Sequence, residues 1–200
     1  CAIQEILQHR FGVGNSTFRT GSSEKVAVDT VPFGLYKTQS LLDVGGYNEK
    51  LVRNHDMELS KRLSEKGGQI YLIPETSCNY FARESYAQLA SNNYNNGKWN
   101  LLTVFITRRF SSLSLRHFIP MLFVLSLIIP SFLSLLFFPF LYLTVVSLIM
   151  YLLGIIYFSF SIKSKKTSFL YLLVGFISLH LSYGIGSLVG LFNIPFIKRS

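Results

Sequence analysis

HFIPMLFVLSLIIPSFLSLLFFPFLYLTVVSLIMYLLGIIYFSFSI, residues 117–162, runs for 46 residues between Arg116 and Lys163 without an Asp, Glu, Lys or Arg. As helix this run extends roughly 70 Å, enough for two crossings of a ~30 Å hydrocarbon core. The sequence predicts spans over 118–137 and 141–160. A further uncharged run, 167–197, supports a third span over 169–191. Helices of small soluble domains rarely stay apolar on every face for this length, so a buried soluble core is the weaker account.

Outward from these runs the charge is divided sharply. All ten acids lie at or before Glu84, where ten Lys and Arg balance them, and the excess of +9 falls entirely in the later residues. Two environments within one chain explain this split better than a uniformly basic surface, and no DNA or RNA motif is present, so nucleic acid is not an expected partner. Arg108, Arg109 and Arg116 precede the first span, and Lys163, Lys165 and Lys166 fill the loop after the second. A two-span hairpin puts both clusters on one side, which the positive-inside rule makes cytoplasmic. Lys198 and Arg199 then fall on the opposite side, and a re-entrant third segment would remove that conflict. From Leu101 to Arg116 apolar residues mingle with Thr, Ser and Arg, a composition that suits an interfacial helix with arginines reaching membrane lipid headgroups, or the last helix of a soluble part.

The first hundred residues carry the chemistry. Gly45-Gly46-Tyr47-Asn48-Glu49 predicts a tight turn. The residues from Asp56 onward favour helix: Leu59 and Leu63 share a face, Glu58 precedes Arg62 by four, and Gly67-Gly68 ends the segment. Asp56 therefore sits in a first helical turn at a loop rim. A carboxylate there can serve as a general base, or simply be favoured by the helix dipole. Asp56-Met57-Glu58 spells a D-x-E, but residues two apart on a helix point about 200° from each other and do not easily chelate one ion. Val26 to Val31 and Ile70 to Ile73 alternate as strands, and Ser85 can cap a helix that runs toward Trp99. Gly12 and Gly14 are not followed by Lys-Ser or Lys-Thr, so they read as a connector. Two cysteines, Cys1 and Cys78, make no disulfide framework.

Taken together, Val28-Asp29-Thr30-Val31, Val52-Arg53-Asn54-His55-Asp56-Met57-Glu58-Leu59 and His180-Leu181-Ser182-Tyr183-Gly184 resemble family 2 glycosyltransferases of the GT-A fold. They resemble in particular the membrane-bound transferases of succinoglycan-type exopolysaccharide pathways. The resemblance covers nearly the whole chain, and order and spacing are more specific than any one motif. It implies an α/β architecture with membrane helices: the acceptor-side half of a Rossmann-like GT-A domain over residues 1–100, an interfacial helix or linker over 101–117, and a transmembrane region over 118–192. The implied reaction is inverting transfer from a nucleotide-sugar donor to a lipid-linked saccharide acceptor, with Asp56 as base, at the inner or plasma membrane.

The resemblance also implies a divalent metal, Mg or Mn, held by a D-x-D in the nucleotide-binding half. This chain contains only Asp29, Asp43 and Asp56 and no such pair, so the 200 residues alone are expected to be inactive. His55 stands where many relatives have Glu or Gln and is a candidate acceptor contact or a structural residue. Asn95-Asn96-Gly97-Lys98-Trp99 occupies the place of the Q-x-x-R-W of processive relatives. Lys98 becomes a candidate diphosphate contact and Trp99 a sugar-stacking face or an interfacial anchor. Arg83 is a candidate phosphate or acceptor contact, or a solvated charge. In the third span Ser182, Gly186 and Gly190 recur every four residues and predict close helix approach; His180 there is a functional group or an interhelical hydrogen-bonder. Two rival readings stay open: a polyprenyl-phosphate sugar transferase, and a non-enzymatic membrane scaffold or transport partner.

Overall fold

The computed structural model describes residues 2–14, 16–77, 79–108, 110, 115–164 and 167–196. Cys1, Cys78, Arg109, Lys165, Lys166, Lys198 and Arg199 lie outside the described residues. The elements in order are α1 (Ala2–Gln8), α2 (Arg10–Val13), α3 (Thr17–Thr20), β1 (Val26–Ala27), α4 (Thr38–Asp43), α5 (His55–Glu65), β2 (Tyr71–Leu72), α6 (Tyr86–Thr107), α7 (Ile119–Leu133), α8 (Phe140–Ile162) and α9 (Phe169–Asn193).

Three helical segments, Leu115–Leu133, Phe140–Ile162 and Phe169–Phe196, are long and apolar enough to cross a membrane. The first stops at Leu133, short of the predicted 137. Pro130 lies inside α7 and Pro139 caps α8, so the chain turns between them. The Ser131 and Thr144 hydroxyls meet at 3.1 Å across the α7–α8 hairpin. The third segment is one continuous helix from Phe169 to Asn193.

The expected Rossmann-like half is not what the described residues form. Val26 pairs with Leu72 and Ala27 with Tyr71 in a two-stranded antiparallel sheet, extended by one bond from the Val28 N–H to the Ile70 carbonyl, 2.9 Å. Each predicted strand is shortened to two residues: beyond Val28 the chain bends through Pro32 and Phe33, whose φ is 52°, and Pro74 closes the second. A central parallel sheet needs strands covered on both faces, and these short segments sit at the surface.

Packing is dominated by α6 against α9. The helices run in the same direction, because the Tyr86 hydroxyl donates to the Tyr171 carbonyl at 2.8 Å while Gly186 and Gly190 face the backbones of Tyr94 and Lys98. A Cβ at Gly97, Gly186 or Gly190 would collide with a backbone carbonyl of the neighbouring helix. The predicted small-residue stripe therefore lets α6 lie directly on α9. Ser182 turns inward to the Leu179 carbonyl of its own helix, 3.2 Å. Ser85 caps α6 by accepting the Gln88 N–H at 3.2 Å, and α6 continues past residue 100 to Thr107, burying Leu101, Leu102 and Val104. Residues 115–118 then form a single 3-10 turn leading into α7.

The main core lies where α1 crosses α9 between α6 and α8: Ile3 and Ile6 meet Leu89, Ile155, Leu172 and Phe176. With α1 and α6 laid over it, α9 keeps less apolar surface than α7 and α8 do.

Candidate functional site

The α5 N-terminus is built by an unusual residue. Asn54 adopts a left-handed φ of 61°, a conformation asparagine tolerates better than most non-glycine residues. Its side chain does not cap the helix. The amide nitrogen donates instead to Asn100 Oδ1 at 2.8 Å and to Thr103 Oγ1 at 3.4 Å on α6, and the Asn100 amide donates to the Tyr183 hydroxyl on α9. The first turn of α5 is thereby tied to two long helices.

Behind it, Glu58 and Arg62 pair at 2.7 Å. The Arg62 guanidinium also donates to the carbonyls of Val44 and Gly46, bracing a turn in which Gly45 and Gly46 take φ of 81° and 70°. At the far end Gly67, with φ 85°, reverses the chain, and the N–H groups of Gly67 and Gly68 bond the Ser64 and Leu63 carbonyls, both at 3.0 Å.

Asp56 is half-buried in that first turn. Its Oδ1 accepts the Met57 N–H at 2.9 Å, and the residue lines a cavity of about 880 Å³. His55 is exposed on the same wall, edge-on to Tyr47 with ring centroids 5.5 Å apart. Arg83 is exposed at the rim, its Nη2 3.5 Å from Asn92 Oδ1. Just beyond the wall Tyr36 is half-buried; burial pushes its hydroxyl pKa up, a hydrogen bond with Ser60 opposes this, and the nearby Tyr47 and Asp56 add to the rise.

Of the predicted site residues, the cavity brings together Asp56, His55 and Arg83 and leaves out Lys98 and Trp99. The geometry of α6 explains this for Lys98. Residues 89, 92, 93, 96 and 100 of α6 line the cavity; residue 98 points about 200° round the helix from residue 96, while residue 99, seven after Asn92, sits at the edge of that face without reaching the lining. The Lys98 backbone is instead the surface on which Gly190 rests.

The cavity also contains groups that sequence reasoning passed over. Arg53 donates to Asn96 Oδ1 at 2.6 Å and to Asn92 Oδ1 at 3.3 Å. Arg116, counted above among the basic residues flanking the first span, is ion-paired with Asp29 at 2.8 Å. Arg10 and Arg19 complete an arginine-rich lining. The visible signal was the asparagine spacing in α6, which marks a polar helical stripe. From the apolar helices, Phe123, Met150, Tyr151, Leu179 and His180 line the same space. His180 bridges the Tyr151 hydroxyl, 3.2 Å, and the Phe11 carbonyl, 3.0 Å; these are the interhelical bonds that a polar group among apolar helices needs.

A divalent ion does not fit the acids at α5. Both Glu58 oxygens are engaged by Arg62 at 2.7 Å, and among the described residues Asp56 is the one carboxylate on the cavity wall. No protein-family model, curated protein or solved structure matches this chain, so its functional reading rests on its own residues.

Proposed function

We propose that this chain is the acceptor-side and membrane portion of an inverting glycosyltransferase that moves a sugar from a nucleotide donor to a lipid-linked saccharide. The observation that carries the reading is Asp56: a half-buried carboxylate at the start of a braced helix, set into the wall of a cavity that continues between apolar helices. Met57 holds one carboxylate oxygen in place. In this role the carboxylate takes the proton of the acceptor hydroxyl as that oxygen attacks the anomeric carbon. The bond from that carbon to the nucleoside diphosphate breaks, and the configuration inverts. Arg53 and Arg83 supply positive charge on the same wall. The Mg or Mn ion that the resemblance implies belongs with a D-x-D outside this sequence, and none of these roles uses it. On this reading the loop after α8 faces the cytoplasm, where nucleotide sugars are made.

The test is transfer of label from radiolabelled nucleotide sugars to membrane lipid extract by the full-length protein, as wild type and as Asp56→Asn. The amide is nearly isosteric and cannot accept the proton, so turnover is expected to fall by about 10²- to 10⁴-fold with unchanged membrane insertion. Near-normal transfer by the variant would return Asp56 to a helix-dipole role, and no transfer from any donor by folded wild-type protein would favour the scaffold reading.

A further inference from the structure

Asn54 gives up two local preferences at the start of α5. Its backbone takes the left-handed region, φ 61°, and its side chain leaves the helix without the cap that asparagine supplies well. Strain of this kind persists only where the surrounding structure over-determines it, and it gathers at functional sites. The side chain reaches across to α6 instead, where its amide donates to Asn100 Oδ1 at 2.8 Å and to Thr103 Oγ1 at 3.4 Å. Asn100 is 1 % exposed and uses both ends of its own amide: the oxygen takes the Asn54 bond, and the nitrogen donates to the Tyr183 hydroxyl. Three polar side chains from three helical segments thus form one line from α9 to the turn that holds Asp56.

The far end of that line is wedged. A Cβ at Gly97 would run into the Tyr183 carbonyl, and one at Gly184 into the Pro120 carbonyl. The α9 backbone at Tyr183 therefore sits directly between α6 and the start of α7, with little slack to absorb a displacement. The near end is two residues from Asp56, whose Oδ1 accepts the Met57 N–H at 2.9 Å, and the Glu58 N–H closes the turn on the Asn54 carbonyl at 3.0 Å. Apolar side chains of the same shape would serve burial as well, so the line is better suited to aiming α5 than to stabilising the helix pair.

We propose that Tyr183 is a positioning residue for Asp56: its hydroxyl, through Asn100 and Asn54, sets where the first turn of α5 stands against the membrane helices. The catalytic consequence rests on the reading of Asp56 as base; the link between the helices does not.

The link is measured by hydrogen exchange over residues 54–60 of the full-length protein in detergent. Tyr183→Phe removes one hydroxyl, and Asn54→Gly removes the side chain at the near end while still allowing the left-handed backbone. Each is expected to speed exchange in that segment by about three- to tenfold, as loss of one hydrogen bond does. Tyr86→Phe is the control: its hydroxyl also ties α6 to α9, through the Tyr171 carbonyl at 2.8 Å, and the segment is expected to exchange as in wild type. Unfolding temperatures report that each variant is folded. In transfer of label from a nucleotide sugar, Tyr183→Phe is expected to lower kcat by about tenfold with an unchanged KM for the donor. In an Asp56→Asn background it should have no further effect, because no base remains to be placed. Wild-type exchange at 54–60 in a folded Tyr183→Phe would overturn the proposal; should that variant not fold, the same result in Asn54→Gly does so. An equal fold loss of kcat with and without the Asp56 carboxylate would overturn the positioning role. Normal transfer by Asp56→Asn alone would sink the base instead, and exchange would still decide the link.

Discussion

Arg62 shows how much one side chain organises around Asp56. It is half-buried and serves three partners at once: the Glu58 carboxylate at 2.7 Å and the carbonyls of Val44 and Gly46. Glu58 is only 5 % exposed, so its two oxygens depend on Arg62 for their hydrogen bonds. Arg62→Ala would strand a buried carboxylate and free the glycine turn at the same time, a loss of about 3–5 kcal/mol. Arg62→Lys keeps the charge but not the fork that reaches carboxylate and carbonyls together, so it is expected to recover only part of the stability. Chemical denaturation of the two variants in detergent measures both; equal stability of wild type and Arg62→Ala would show that the turn holds without its brace. Asn54 plays the complementary part, since its left-handed backbone and its bonds to Asn100 and Thr103 aim α5 at α6.

At the scale of elements, the α6–α9 seam is the main joint of the molecule. Membrane helices gain little from a hydrophobic effect between them, so close backbone contact and interhelical bonds must supply the attraction. Gly186 is a tight place to test this, because a Cβ there would run into the Tyr94 carbonyl, a backbone atom that cannot rotate away. Gly186→Leu is expected to lower stability by about 1–3 kcal/mol or more as the helices are forced apart. The displacement would also shift Asn92, Asn96 and Asn100, on which Arg53, Arg83 and Asn54 depend. Thermal unfolding of Gly186→Leu beside Gly154→Leu provides the control, since a Cβ at Gly154 meets only the Phe11 ring edge at 3.6 Å. Equal losses in the two variants would deny the seam its special role.

For the molecule as a whole, the proposed reading makes the α7–α8 hairpin the element that orients it in a bilayer. Leu136, in the turn after α7, and Ser164, after α8, lie at opposite ends of these helices. Single cysteines placed there, with Cys1 and Cys78 replaced, are expected to react with an impermeant maleimide from opposite sides, the Ser164 position from the cytoplasm. Labelling of both from one side would mean that α8 does not cross. The sequence by itself determined the three apolar helices, the Glu58–Arg62 pair and glycine end of α5, and the small-residue face of α9, because each is a local pattern of charge, turn residues or helical spacing; the brace of Arg62 on Val44 and Gly46 and the bonds of Asn54 to α6 are long-range and were not legible. It misjudged the strands, since two short alternating segments do not show whether they join a large sheet or only each other. It picked Lys98 by position along the chain, whereas the contact of the Lys98 backbone with Gly190 of α9 left the Asn92, Asn96 and Asn100 side of α6 toward the cavity. Only the tertiary structure gathered Arg10, Arg53, Arg83 and Arg116 around Asp56, because pairing between residues many positions apart depends on how the helices dock, and no local pattern encodes that.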